Sequence, residues 1–203
     1  MLKKWIKEYI EVNKKEVLII IGLLLLGVII GVGIYIFVSS STKALAITSV
    51  KEVFEISKES TYVKTNIVAN GVKADILLIL ILGIASITLF GKWVMYMIVL
   101  LKGISLSIYT ILLFNIFGFL WGSLVFILLV LLVNILYIPA LIYLIVNFLE
   151  IHFNIFKTRI TNLNVIEIYR ILLAVFFSFV IMFSSIVIEQ IASPIVLNIY
   201  TKI

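Results

Sequence analysis

Few side chains in this 203-residue chain could carry out chemistry, and those few are poorly matched to catalysis. The chain has one histidine, His152, one aspartate, Asp75, and no cysteine. A single aspartate cannot form a carboxylate dyad within one copy. His152 does not belong to an H-E-x-x-H helix, and no G-x-x-x-x-G-K-[ST] loop is present to cradle a phosphate. A serine or threonine nucleophile needs a base, and the apolar stretches contain no histidine to serve as one. Without cysteine there are no disulfides and no thiolate metal ligands. The expectation is a protein that is not an enzyme and carries no cofactor or metal.

The remaining candidates are polar or small residues inside apolar sequence. Lys102 lies within such a run, where a charge is costly and therefore a functional candidate; the competing reading is a lysine snorkelling to the headgroups. Glu150 and Glu189 end apolar runs, as interfacial carboxylates or as intramembrane acids. His152, at the inner end of a run, reads as a solvated interface residue. Pro139 removes a helical hydrogen bond and crowds the carbonyl four residues earlier, so a kink is expected near Ile135. The freed carbonyl and the amide of Asn134 then need partners inside a bundle, either as packing geometry or as the broken-helix site of a transporter. Small residues one helical turn apart occur at Gly27 and Gly31, at Gly103 and Ser107, and at Gly118 and Gly122. Such pairs let helix backbones approach closely, within one bundle or against another protein's span.

These residues are embedded in a chain that is 64% hydrophobic and only 13% charged, with a mean hydropathy of +1.32. A soluble domain keeps its surface wet with about 25% charged residues, so the solvent suited to this surface is lipid. The formal charge of +6 has the sign expected where loops meet anionic headgroups. The lysines are scattered around apolar runs and form no single basic face, which argues against nucleic acid.

The fold expected is all-α, a polytopic membrane helix bundle of about five transmembrane helices with an extracytoplasmic interfacial helix. Residues 1–16 form a basic amphipathic N-terminus. Residues 17–38 form the first span, long enough for a ~30 Å hydrocarbon core and too long for a signal-peptide core. Ser39–Ser41 with Ala44-x-Ala46 resembles a cleavage site, but a retained anchor is the preferred reading. Residues 39–75 lie outside the cytoplasm, residues 76–150 hold spans two to four, and 151–170 form a cytoplasmic loop. Residues 171–190 are the fifth span, and 191–203 an outer tail. The turn between spans two and three falls at Gly91-Lys92 or at Lys102-Gly103. Flanking Lys and Arg favour a cytoplasmic N-terminus, nine inside against six outside.

In the outer segment Val50, Val53, Phe54 and Ser57 recur at helical spacing, with Lys51, Glu52, Glu55, Lys58 and Glu59 between them. This helix either lies on the headgroups or docks a partner, and Asn70-Gly71 is expected to turn the chain into the next span.

Four pieces, taken together, resemble the stage II sporulation protein M family of endospore-forming bacteria over nearly the whole chain. They are Gly27-Val28-Ile29-Ile30-Gly31-Val32, Leu100-Leu101-Lys102-Gly103, Asn134-x-x-Tyr137-Ile138-Pro139-Ala140 and Ile188-Glu189-Gln190-x-Ala192-Ser193-Pro194. The broader family often has a proline-histidine-glycine run and an acid before the Pro-Ala pair. Here Val133, Asn134, Ile135 and Tyr137 stand instead, as fits the sporulation branch. The resemblance implies a non-catalytic scaffold of engulfment in the mother-cell membrane at the sporulation septum. Its implied partners are peptidoglycan hydrolases of the stage II sporulation D and P type, beside membrane lipids and a possible second copy of the chain. A transporter, channel or permease subunit is the alternative.

Overall fold

The computed structural model describes residues 11–59, 61–158 and 165–200. In order they form α1 (Lys14–Phe37), α2 (Ser40–Glu59), α3 (Thr61–Ser86), α4 (Gly91–Val125), a π-helical stretch (Phe126–Leu131), α5 (Leu132–Thr158) and α6 (Val165–Tyr200). There is no strand among the described residues. Among the described residues four stretches are long and apolar enough to cross a membrane: Lys14–Phe37, Ala69–Ser86, Gly91–Phe156 and Leu172–Glu189. This is the construction of a multi-pass membrane protein, since a helix satisfies all its own backbone groups and needs no water to do so.

The third stretch, at 66 residues, folds back on itself. Gly118 has φ 72° and ψ −178°, a backbone state that L side chains rarely adopt and glycine reaches without penalty. Phe114 consequently meets Phe119 and Phe126, each with ring centroids 6.2 Å apart. In a continuous helix, residues as far apart as Phe114 and Phe126 would be about 18 Å apart. The chain therefore reverses at Gly118, and Gly122 packs against Phe114 on the returning arm, where a Cβ would lie 3.2 Å from Phe114 Cα.

Between α3 and α4 the reversal is tighter. Residues 87–90 form the turn, closed by bonds from Gly91 N to Thr88 O (3.0 Å) and from Thr88 N to Ala85 O (3.1 Å). Of the two sites expected from sequence, the break before Gly91-Lys92 is the turn, and α4 runs without interruption through Lys102-Gly103. A Cβ on Gly91 would collide with the carbonyl of Ala85, so only glycine permits so short a connection. Lys92 marks the same end of the bundle, its ammonium 5.1 Å from the Phe153 ring.

One further expectation changes. Asn70-Gly71 is not a turn: α3 is helical straight through it. Gly71 is instead where α3 approaches α6, with Ile186 Cδ1 3.3 Å from the position of a Cβ. α5 is helical through Pro139, which lies on its exposed side. The irregularity lies earlier, in the π-helical stretch.

Between α1 and α2, Ser39 starts the second helix. Its Oγ accepts from Thr42 N (3.3 Å), as an N-capping serine does. Lys43 donates to Ile36 O (3.1 Å), satisfying a carbonyl at the C-terminus of α1.

Two apolar clusters hold the bundle. One joins Ile20, Leu82, Met95, Val99, Leu144 and Met182, drawn from α1, α3, α4, α5 and α6. The other, nearer the Gly118 turn, joins Leu113, Phe117, Val125, Leu129, Ala192 and Val196, with Val50 of α2 packed against it.

Candidate functional site

Uncharged polar residues along the helices mostly satisfy themselves. Thr110, Asn115, Ser123, Asn147 and Ser184 each donate to a carbonyl one turn earlier on the same helix, at 2.7–2.8 Å. Such bonds hide a polar group from lipid without needing a second helix. Asn134 does the same, its amide donating to Val130 O at 2.8 Å, beside the π-helical stretch. Asn134 Oδ1 has no hydrogen-bond partner among the described residues.

Lys102 is different. It stands eleven residues beyond Gly91 on α4, about 16 Å along the helix, beyond the reach of a side chain snorkelling to that end. Its ammonium lies over the ring of Tyr137 on α5, 4.1 Å from the centroid. This cation–π contact strengthens when water is excluded. Tyr137 Oη in turn donates to Asp75 Oδ1 on α3 at 3.1 Å. Asp75 is only 6% exposed, and its Oδ2 is buried without a hydrogen-bond partner among the described residues. Glu189 of α6 is half-buried and acts electrostatically on both Lys102 and Tyr109. Four helices thus send charged or hydroxyl groups to one place inside the bundle.

The sequence reading identified Lys102 and Glu189 but missed Asp75 and Tyr137 as their companions. Asp75 was set just outside the second span, which was taken to begin at Ile76. A signal was available. Asp75 lies twelve residues before Ile87, and Lys102 lies twelve after Phe90. Once the turn is fixed at 87–90, a helical hairpin brings the two level.

On the opposite face of α4, the small residues meet. A Cβ on Gly27 would collide with Leu100 O and stand 3.1 Å from Gly103 Cα, while one on Gly103 would collide with Leu24 O. A Cβ on Gly31 would strike Ser107 Oγ and come within 2.7 Å of Ile104 O. The pairs Gly27/Gly31 and Gly103/Ser107 are therefore the two sides of one seam between α1 and α4. They serve the chain's own packing.

His152 is not the solvated residue expected. It is 7% exposed, with its ring 4.7 Å from that of Phe156 and its Nδ1 3.3 Å from the Cβ position of Gly91. The short turn between α3 and α4 covers it. Of the candidate docking residues, Val50 is half-buried against the cluster of Leu113 and Phe117. The side chains of Val53 and Phe54 lie outside the described residues.

No family model, curated protein or solved structure matches the chain.

Proposed function

We propose that this chain is a non-catalytic membrane scaffold of the stage II sporulation protein M type, holding peptidoglycan hydrolases at the sporulation septum during engulfment. The observation that carries this reading is a convergence. The pieces that bear the resemblance are spread from Gly27 to Pro194, yet Gly27 packs on Gly103, Lys102 lies on Tyr137, and Glu189 is within electrostatic reach of Lys102. A shared pattern whose members meet in three dimensions is a pattern of architecture, as a protein that works by holding others requires.

In this reading the chain crosses the mother-cell membrane five times, by α1, the apolar half of α3, the two arms meeting at Gly118, and α6. The N-terminus is cytoplasmic. The helix α2 then lies outside with the Gly118 turn, its Val50 seated on the bundle, where it can meet lipid headgroups or a hydrolase. Val53 and Phe54 are the residues assigned to that contact.

The test is to solubilise membranes from sporulating cells, capture the full-length chain and identify its companions by mass spectrometry. Stage II sporulation D- and P-type hydrolases are expected, with recovery falling several-fold for Val53→Asp or Phe54→Asp. Companions limited to an ATPase or transport subunits would overturn the reading.

A second reading, a transporter or channel subunit, is favoured by the charged groups at the depth of Lys102, since ionisable residues inside the membrane commonly mark ion and substrate paths. Unchanged cellular activity on replacing Lys102 and Asn134 by leucine would count against it.

A further inference from the structure

We propose that Asp75, together with the Lys102–Tyr137 pair facing it, forms a binding site for one monovalent cation, a proton or an alkali-metal ion, inside the bundle. This property goes beyond holding partners and stands independently of the scaffold reading.

Asp75 is buried to all but 6% of its surface. Its Oδ1 takes the hydroxyl of Tyr137 at 3.1 Å, while Oδ2 has no hydrogen-bond partner among the described residues. A buried acceptor left bare is expensive, and where one occurs in a native fold an ion, a proton or a water generally accounts for it. In a bundle surrounded by lipid the cost is higher still.

The surroundings specify the ligand's charge. The groups facing Asp75 are Lys102 from α4 and Tyr137 from α5; beyond Lys102 lies Glu189 from α6, which also reaches Tyr109 of α4. From α1 no charged side chain intervenes between Val17 and Val38. Lys102 is within electrostatic reach of both Asp75 and Glu189, and its ammonium lies on the face of Tyr137 at 4.1 Å instead of closing a hydrogen bond to Asp75 Oδ2. A bare carboxylate oxygen excludes an anion. The nearby ammonium disfavours a divalent cation, and no group of three His, Asp or Glu that could hold a metal comes together among the described residues. A single positive charge is what the site can take.

The sequence offers an unusually clean test, because Asp75 is the chain's one aspartate. Carboxyl-13C aspartate incorporated into the full-length chain therefore reports on this site alone. The labelled protein would be reconstituted in phosphatidylcholine vesicles and its labelled carboxyl followed by infrared spectroscopy, in choline, sodium and potassium chloride. A protonated-acid signal at neutral pH, insensitive to sodium and potassium, identifies a proton. A carboxylate signal that shifts saturably when choline is replaced by sodium or potassium identifies an alkali ion. In either case Tyr137→Phe, which keeps the ring and removes the donor, should move the titration midpoint or half-saturation about tenfold. An ionised carboxylate at neutral pH that responds to neither cation would overturn the proposal.

Discussion

Two successive residues of α4 do opposite things. Gly103 turns to α1, where the contact is made of backbone against backbone and nothing larger than hydrogen fits. Lys102 turns to α3 and α5, where the contact is a charge on an aromatic face beside a buried acid. The first contact holds by shape. In lipid, where apolar side chains gain nothing from leaving the solvent, close packing of small residues is one of the few sources of helix association. The second holds by charge, and it specifies partners more sharply: a slip of one turn would cost the seam some packing, but would strand an ammonium or a carboxylate in a dry interior.

That contrast can be broken in graded ways, each read as a shift in unfolding midpoint of the purified chain in detergent. Lys102→Met should be the most damaging, at about 3–5 kcal/mol, because it removes an ammonium that faces both Asp75 and Glu189. Gly103→Leu should cost about 3 kcal/mol by forcing α1 and α4 apart. By comparison, Gly33→Leu, with nothing within 4 Å of its Cβ position, should cost little. Equal losses at Gly33 and Gly103 would refute the seam. Gly118→Ala should cost about 1–2 kcal/mol through its positive φ. Tyr137→Phe should be mildest, at about 1 kcal/mol, the usual scale of one interhelical hydrogen bond in a membrane protein.

The apolar runs themselves were readable, because length and hydropathy are sums over many residues and tolerate local error. That two spans must share the run from Ile76 to Phe117 was readable too, because it is too long for one crossing, but Gly91-Lys92 and Lys102-Gly103 were equally open as the turn between them. The small-residue pairs could be found one at a time, but not matched: nothing in Gly27-x-x-x-Gly31 names Gly103-x-x-x-Ser107 as its complement. Asn70-Gly71 misled for a related reason. The dipeptide favours a turn in isolation, whereas here the glycine makes room for Ile186 of α6. His152 was assigned to the surface on its polarity alone, and only the turn packed over it reveals otherwise. Asp75 falls outside a span that starts at Ile76, whereas the apolar helix starts at Ala69, and that boundary concealed the register with Lys102.

The central claim is that residues distant in sequence act as one intramembrane unit, and a double-variant cycle on Lys102 and Asp75 tests it most directly. Unfolding midpoints would be measured for Lys102→Met, Asp75→Asn and the two combined. If the groups form a unit, the combined variant recovers a large part of the loss caused by Lys102→Met, because the Lys102 ammonium and one of the acids that faced it are removed together. If the two losses simply add, Lys102 and Asp75 are independent residues that happen to lie near Tyr137, and the account fails at its centre.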